Sequence, residues 1–397
     1  MIKKTITIVL ILIGSKTFAQ DIDSFLDKVK NHHPGIIAAE QLLYSREESA
    51  ATGYMPPDPD VSFGYFPGQP ESIGNKVTWS VNQSFDFPTS YYRIKELKRT
   101  DYELAELQYG LAFVNMMEQV REKVLEKIAV EKSIDLLTTR LRDLREMKEA
   151  YDKMLAEGEA TVMESNRITM ELVEMETRYN QYLTKAENLK SFLDLVSGNN
   201  SELVEGSGYP FFGEPVPDSL LDIKKKQHPA FLIPDKEAAK AEMNIQLVKA
   251  EKLPGIRIGV GSEIIGSNRF TGPSMGLTIP LWEDRRKVNE ARARKTHTEA
   301  KNRNREIMLE NQIRSDIKTY KTLARSLSVL RHALEASNSY NYLNIALESG
   351  EISLIEYFNE LKTYYDIENR IIETEKDYLI KQSKLFDHQL LPEQFIN

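Results

Sequence analysis

Apolar residues recur at alternating steps of three and four along much of the chain, which is the spacing of helices that pack in coiled coils. The clearest stripe consists of Ile168, Leu172, Met175, Tyr179, Tyr182, Ala186, Leu189, Leu193 and Val196. The stretch before it, from about Tyr91 to Leu155, has no proline and a single glycine, Gly110. A helix over that stretch is roughly 90 Å long at about 1.5 Å per residue. The pattern therefore predicts long helices that are joined in hairpins.

The second half of the chain repeats this pattern with a difference in its last helix. Its outgoing arm carries Ile313, Ile317, Tyr320, Leu327, Leu330 and Leu334. Its return arm carries two thinner stripes, Tyr364-Ile367-Ile371-Tyr378-Leu385 and Leu361-Tyr365-Ile372-Leu379-Phe386. Two stripes fit a helix with a neighbour on each side, as in a ring of helices. An ordinary antiparallel coiled coil with a single core remains an alternative, because periodicity alone does not separate the two.

Each half also has two segments in which apolar and polar residues alternate, as in strands. The predicted strands are about 59–66 and 76–87 in the first half and about 256–265 and 272–282 in the second. Their lengths approach the 9–11 residues of a tilted transmembrane strand. Four strands leave two open edges, which lipid does not tolerate, so several copies of the chain must pool their strands. A small soluble sheet that caps a coiled coil is the alternative.

Aromatic residues lie near the ends of these predicted strands. They are Phe66, Trp79, Phe87 and Trp282. Aromatic girdles occupy such positions in transmembrane barrels, at the two membrane–water interfaces. Their placement favours the membrane interpretation of the strands.

The chain is internally duplicated. Gly158-Glu159-Ala160-Thr161-Val162-Met163-Glu164 recurs 192 residues later as Gly350-Glu351-Ile352-Ser353-Leu354-Ile355-Glu356, and His33-Pro34 recurs as His228-Pro229. Because each copy of an internal repeat forms the same structural unit, the repeat sets the predicted order of segments along the chain. We predict a first repeat over 20–197 with a tip near 157–164, a Gly- and Pro-rich linker over 198–217, a second repeat over 218–391 with a tip near 349–356, and a C-terminal tail over 392–397.

The first nineteen residues have the features of a secretory signal peptide. Lys3 and Lys4 precede an apolar stretch from Ile6 to Gly14, and Ala19 is the small residue that signal peptidase prefers. We therefore expect export with cleavage after Ala19. The chain has no cysteine, so neither a lipidated N-terminal Cys nor a disulfide is available.

Charge and motif content exclude several functions. Cleavage after Ala19 removes three lysines and no acid, so 52 basic residues become 49 against 60 acidic ones and the net charge falls from −8 to −11. An acidic chain does not offer the basic face that nucleic acid requires. The six histidines form no HExxH motif, and no GxGxxG loop is present. The sequence predicts no catalytic site, no cofactor and no bound metal.

The chain resembles the TolC-like outer-membrane efflux factors over nearly all of its mature length. The residues that carry the resemblance are the duplicated order, the two His-Pro pairs, Pro280-Leu281-Trp282 and the two tip motifs. The resemblance implies a mainly α fold with transmembrane β. In that fold, duplicated coiled-coil hairpins and four strands per chain assemble as a homotrimer. A twelve-stranded β-barrel then spans the outer membrane, and an α-helical barrel lies in the periplasm.

The resemblance also implies partners and sites. A periplasmic adaptor (membrane-fusion) protein and an inner-membrane pump are expected to dock at the tips, through Gly158, Glu159, Ala160, Thr161, Gly350, Glu351, Ile352 and Ser353. Physically, a glycine allows the chain to reverse, and Thr161 or Ser353 can cap the returning helix. An alternative is that both motifs are turn chemistry alone.

Acidic residues after the second tip narrow the periplasmic end of the tunnel in this family. The matching position here is Glu356, with Asn359 where a second acid often stands. Three like charges around one axis attract cations. Asn359 departs from the family pattern and makes this predicted constriction less acidic.

Two other functions remain open from the sequence. One is a periplasmic adaptor, and the other is a structural coiled-coil protein without a pore of its own. Two equal hairpins and two strand pairs favour the channel, a passive conduit for small molecules or ions. Pro-Pro-Asp-Pro at 56–59 is similar to the heavy-metal branch of the family, whereas no Met or His cluster supports metal handling, and drugs, dyes or secreted polypeptides are alternative cargoes.

Overall fold

The computed structural model of the chain describes residues 22, 24–206, 208–210, 217, 219–280, 285–337 and 339–392. The predicted signal peptide, Trp282 and residues 393–397 of the predicted tail lie outside them. The helices are α1 (24–32), α2 (Pro34–Ala50), α3 (Pro88–Glu157), α4 (Val162–Ser197), α5 (Leu220–Gln227), α6 (Pro229–Ala250), α7 (Arg285–Ser337), α8 (Ser339–Glu348) and α9 (Leu354–Leu385). The strands are β1 (Asp60–Phe66), β2 (Lys76–Phe85), β3 (Gly255–Ile265) and β4 (Asn268–Thr278).

The chain divides into two compact units. The strand unit comprises Ala39–Leu111 and Lys225–Leu309, and the helical unit comprises Met1–Ala38, Ala112–Lys224 and Glu310–Asn397. Each unit draws on both sequence repeats, since α3 and α7 begin in the strand unit and end in the helical unit.

The strand unit contains an antiparallel sheet in the order β1-β2-β3-β4. Phe63 of β1 lies opposite Trp79 of β2, and Trp79 lies opposite Ser262 of β3, so the first repeat joins the second through β2 and β3. A tight turn at Gly266 joins β3 to β4, and its φ of +55° is a conformation that favours glycine. β1 and β4 are therefore the two edges of the sheet.

The fourth strand differs from its predicted bounds. It begins at Asn268 and ends at Thr278, whereas the alternation of apolar residues predicts 272–282. Residues 268–271 pair with β3 through main-chain hydrogen bonds, for which an apolar pattern is not required. The second strand likewise ends at Phe85, two residues before the predicted end.

The helical unit has a core that joins both hairpins. Its buried members come from α3, α4 and α9, and they are Leu137, Leu141, Leu144, Ile168, Met175, Leu354, Tyr357, Phe358, Leu361 and Tyr365. The return helix of the second hairpin therefore packs on both arms of the first. Burial of ten such side chains is the main stabilising contribution here, at about 1.5–3 kcal/mol for each large apolar side chain.

The predicted linker begins with a packed turn, which corrects the interpretation from composition. Ser201 and Val204 have no exposed surface, and a 3-10 turn spans Ser201–Val204. The Ser201 amide donates to Asp194 Oδ1 at 3.2 Å, and Lys127 Nζ donates to the Val204 carbonyl at 3.3 Å. Gly198-Asn199-Asn200 does turn the chain, but the turn directs the following residues into the core.

The last helix of the second repeat, α9, ends at Leu385. A 3-10 turn over Asp387–Leu390 then precedes Pro392.

Candidate functional site

The first tip, residues 157–165, reverses the chain between α3 and α4. Gly158 has φ +81°, in the left-handed region. The Glu159 amide donates to the Met154 carbonyl at 2.8 Å, and the Gly158 amide donates to the Leu155 carbonyl at 3.2 Å. This pair of bonds is a Schellman motif, which satisfies carbonyl groups that the helix end leaves without partners.

The second tip, residues 349–357, has the same backbone geometry. Gly350 has φ +73°, its amide donates to the Leu347 carbonyl at 3.1 Å, and the Glu351 amide donates to the Ala346 carbonyl at 2.9 Å. Every residue in these bonds lies 192 positions after its counterpart in the first tip. The repeated sequence motif is thus a repeated helix stop.

A capping box starts the returning helix at both tips. The Glu164 amide donates to Thr161 Oγ1 at 3.3 Å, while the Thr161 amide donates to Glu164 Oε2 at 2.7 Å. In the second tip the Glu356 amide donates to Ser353 Oγ at 3.3 Å, and the Ser353 amide donates to Glu356 Oε2 at 2.9 Å. These reciprocal bonds satisfy two amide groups at each helix start.

The capping boxes hold both glutamates in their charged form. The pKa of Glu164 is lowered first by the Thr161 backbone amide and then by the Thr161 hydroxyl. The pKa of Glu356 is lowered by the same two groups of Ser353. A hydrogen bond to the carboxylate favours ionisation, so each tip keeps one fixed negative charge at neutral pH.

A side-chain bond also ties the two arms together behind each tip. Ser165 Oγ donates to Asp152 Oδ1 at 2.8 Å, and Lys148 forms an ion pair with the same aspartate. Tyr357 Oη donates to Asn344 Oδ1 at 2.8 Å in the second hairpin. Burial raises the pKa of Tyr357 to about 12, so its hydroxyl remains a donor at physiological pH. These pairs were not predicted from the sequence, although their equal spacing of 13 residues in the two repeats is a signal that indicates them.

The two tips differ in the apolar surface that they expose. The first residue of the returning helix is Val162, 61% exposed, in one tip and Leu354, 4% exposed, in the other. The second residue is exposed in both tips, as Met163 and Ile355. Leu354 belongs to the helical core, whereas Val162 does not. The predicted docking residues are a separate set. Exposed among them are Gly158, Glu159, Thr161, Gly350, Glu351 and Ser353, and half-buried are Ala160 and Ile352.

The predicted constriction residues lie on the first two turns of α9. Glu356 and Asn359 are both exposed, and the Glu356 carboxylate is already engaged by Ser353. Asn359 is one turn further along the helix. The single chain therefore gives Glu356 a structural role at the helix start, beside the predicted role in a constriction.

A buried arginine in the helical unit is a second feature that was not predicted from the sequence. Arg140 of α3 is 3% exposed, donates to Glu368 Oε2 at 2.6 Å and lies 3.8 Å from the centre of the Tyr365 ring. It also donates to Asn369 Oδ1 at 3.2 Å. A charge this deep requires such partners, and it fixes α3 against α9.

The sheet has two chemically different faces. Residues that lie directly opposite each other in the register share a face. One face carries rows such as Val61-Val81-Val260-Pro273 and Phe85-Ile256-Leu277, and Phe63 on this face is 76% exposed. The other face carries small or polar rows such as Ser62-Ser80-Gly261-Gly272. A sheet with one exposed apolar face has the pattern of a sheet that contacts lipid on one side and water on the other.

The His-Pro pairs start helices in the same way as each other. His33 Nδ1 accepts from the Gly35 amide at 3.0 Å, and His228 Nδ1 accepts from the Ala230 amide at 3.2 Å. The proline that follows begins the helix, where its missing N–H is not needed. Among the described residues, no group of three or more His, Asp or Glu side chains is placed to hold a metal ion. None of the helices in the described ranges is long and apolar enough to cross a membrane.

Comparisons with solved structures give the class of fold. A membrane protein from Pseudomonas aeruginosa superposes with a TM-score of 0.80 and 14% identity, over 93% of this chain and 93% of that chain. The CmeC outer-membrane channel of Campylobacter jejuni has a TM-score of 0.79 and 13% identity, over 96% of this chain and 92% of that one. The open MtrE outer-membrane channel of Neisseria gonorrhoeae has a TM-score of 0.76 and 12% identity, over 92% and 88%.

The chain therefore has the fold of the TolC-like outer-membrane channels, in which a mainly helical chain carries a four-stranded antiparallel sheet. The resemblance that the sequence motifs indicated is confirmed at the level of the fold. No family model matches the sequence. No curated protein matches it either.

Proposed function

We propose that this chain is the outer-membrane subunit of a tripartite efflux pump and forms a passive channel from the periplasm to the exterior. It performs no catalytic step. Transport is driven by an inner-membrane pump, which a periplasmic adaptor joins to the channel. The fold shared with outer-membrane channels supports this role.

The observation that carries the proposal is the exposed apolar face of a sheet with two open edges. β1 and β4 each have one neighbour, so their outer main-chain groups have no strand partner among the described residues. An open edge is not tolerated in lipid, and a sheet of four strands is too small to close on itself. A homotrimer supplies twelve strands, in which β4 of one copy pairs with β1 of the next. The helices then lie in the periplasm.

The tips are the proposed docking surface for the adaptor. Both are held by a Schellman motif and a capping box, so their exposed side chains are presented on a fixed backbone. Met163 and Ile355 offer apolar contacts there, and Glu159 and Glu351 offer charged ones. Preorganised loops lose little conformational entropy on binding, which favours a docking role.

The predicted signal peptide over residues 1–19 supports export from the cytoplasm, and the proposed barrel then places the chain in the outer membrane. Because the chain has no cysteine, it is anchored without a lipid, by the proposed barrel. Outer-membrane lipid is therefore a partner of the sheet, and nucleic acid is not a partner of the chain.

A pair of matched variants tests the membrane assignment of the sheet. Phe63→Arg places a charge on the apolar face, and Ser62→Arg places the same charge on the polar face of the same strand. Arginine on the lipid side costs about 2–4 kcal/mol near the middle of the bilayer, whereas the lumen side is tolerant. We expect Phe63→Arg to reduce the SDS-resistant trimer recovered from the outer membrane, and Ser62→Arg to leave it unchanged.

Fractionation and conductance give the results that would contradict the proposal. Recovery of the wild-type chain in the soluble periplasm, without an SDS-resistant trimer, would indicate an adaptor or structural coiled coil instead. For the proposed constriction, Glu356→Gln is the informative variant, because glutamine also fits a capping box while removing the charge. Reduced cation selectivity in single-channel recordings supports the constriction, and unchanged selectivity removes Glu356 from it.

A further inference from the structure

Neighbouring helices of the strand unit are joined by specific polar contacts. Lys236 of α6 forms an ion pair with Glu103 of α3 at 2.6 Å, and Lys240 forms one with Asp101. At this junction the acids are on α3 and the lysines are on α6. The first repeat thus joins the second through two pairs of opposite charges.

Two further junctions complete the order of helices. Lys98 of α3 donates to the Ser49 carbonyl of α2 at 3.2 Å. Lys295 of α7 forms an ion pair with Glu242 of α6 at 2.9 Å, and Asn302 of α7 donates to the Pro234 carbonyl at 2.8 Å. The helices therefore follow the order α2, α3, α6, α7. This leaves the outer faces of α2 and α7 without a helix partner in the described part of the strand unit.

The first part of α7 is strongly basic. Residues 285–305 contain Arg285, Arg286, Lys287, Arg292, Arg294, Lys295, Lys301, Arg303 and Arg305 against Glu290 and Glu299. Arg292 and Arg303, eleven residues apart and so on one side of the helix, are exposed, and no described acid forms an ion pair with either. This excess of positive charge stands out in a chain whose net charge is −8.

The second half of α2 has the opposite charge. Within 39–50 the helix carries Glu40, Glu47 and Glu48 against Arg46. All three glutamates are exposed, and none forms an ion pair with a described residue. Tyr44 lies among them and is 57% exposed, so the face also offers an aromatic contact.

We infer that the basic face of α7 in one copy of this chain packs against the acidic face of α2 in the next copy, and that this charge pairing selects the order of copies in the assembly. The inference rests on the oligomer proposed above, in which the last helix of one copy lies beside the first helix of the next. The occupant of both faces is a second copy because each face supplies the charge that the other lacks. Complementary charges of this kind speed encounter and suppress wrong partners.

The proposed α7–α2 junction between copies has the reverse arrangement of charges from the α3–α6 junction inside the chain. Inside the chain the acids are on the helix that follows the strands, α3, and the lysines are on the helix that precedes the next pair, α6. Between copies the helix that follows the strands, α7, is basic, and the helix that precedes them, α2, is acidic.

Charge reversal on either face tests the inference. Arg292→Glu with Arg303→Glu makes the α7 face acidic, and Glu47→Lys with Glu48→Lys makes the α2 face basic. We expect each two-residue variant to form about tenfold less SDS-resistant trimer, because like charges then meet at every junction. High salt should restore part of the yield, since it screens exposed charges. Lys95→Glu with Lys249→Glu is the matched control, because it reverses two exposed lysines on the inner helices α3 and α6.

The chain with all four reversals is the decisive variant. It should recover the wild-type trimer yield, because every junction is again a pair of opposite charges. When it is expressed together with a differently tagged wild-type chain, the two should form separate trimers. Free mixing of the two chains, or full trimer yield from Arg292→Glu with Arg303→Glu, would overturn the inference. A wild-type chain that forms no oligomer would instead overturn the proposed function, and the inference with it.

Discussion

The hydroxyl of Tyr357 donates to Oδ1 of Asn344 at 2.8 Å and ties the second returning helix to its outgoing arm. In the first hairpin the same two positions hold Ser165 and Asp152, which are also joined at 2.8 Å. One pair uses a buried phenol and a neutral amide, and the other uses a small hydroxyl and a carboxylate. The duplication has therefore kept the position of the bond while its chemistry has changed.

Removing the phenol hydroxyl should loosen the second tip alone. We expect Tyr357→Phe to destabilise the tip by about 1 kcal/mol, because Asn344 loses the donor to its carbonyl oxygen while the ring still fills the core. Hydrogen exchange of the amides of residues 345–352 should speed up, and exchange at 154–160 should not. Tyr342→Phe is the control, since Tyr342 is exposed. Equal protection of residues 345–352 in the variant and the wild type would show that the bond contributes nothing.

Whether another residue can replace a tip glycine should depend on the backbone conformation at that position and not on the space for a side chain. A Cβ at Gly158 or Gly350 meets no atom within 4 Å, yet both residues have positive φ. We expect Gly350→Ala to destabilise the second helix stop by about 1 kcal/mol through left-handed strain, and Gly350→Asn to cost less because Asn tolerates that conformation. Thermal unfolding of the two variants measures the difference.

Gly272 provides the matched control for this prediction. A Cβ at Gly272 also meets nothing within 4 Å, but its φ lies outside the left-handed region. Gly272→Ala should therefore unfold close to the wild-type temperature. If it is as destabilising as Gly350→Ala, the cost does not come from positive φ.

The regular parts of the molecule could be predicted from the sequence because each has a period. Long stripes such as Ile168 to Val196 give the helical arms, and alternation around Phe63 and Trp79 gives the strands. Thr161 and Ser353 were expected to cap the returning helices, and both do so. The roles of the tips in docking and of Glu356 in a constriction remain predictions, since both depend on a partner chain.

Other features depend on tertiary neighbours and have no local signal. Arg140 looks like any charged residue of a long helix, and its burial follows from the approach of Tyr365 and Glu368, more than 200 positions later. Ser201 and Val204 stand in a Gly- and Asn-rich stretch that is typical of a linker, yet they pack into the core. β4 extends to Asn268 because pairing with β3 satisfies its main chain, whatever its side chains are.

Acid should weaken the two capping boxes together. The pKa values of Glu164 and Glu356 are lowered in the folded chain by backbone amides. The charged form therefore stabilises the fold above the ordinary glutamate pKa of about 4.3, and this contribution is lost as pH falls through the lower folded values. The protection factors of amides in the first turns of α4 and α9, which compare their exchange with that of an unfolded chain at the same pH, should fall below about pH 4 in the wild type. Glu164→Gln with Glu356→Gln should flatten that pH dependence, and an unchanged profile in this variant would assign it to other carboxylates.

The pair Arg140 and Glu368 should respond unequally to the loss of either partner. Arg140 is 3% exposed and the Glu368 side chain is 19% exposed, so only the arginine is left as a deeply buried charge when its partner is removed. We expect Glu368→Met to destabilise the helical unit by about 3 kcal/mol, and Arg140→Met to cost about 1 kcal/mol because the remaining glutamate can reach water. Arg140→Met with Glu368→Met should be close to Arg140→Met alone, since no buried charge remains. Urea unfolding in detergent, followed by the fluorescence of a probe on α9, gives the order of the three variants. Equal destabilisation by both single substitutions would mean that packing of the two side chains, rather than the buried charge, sets the stability of this contact.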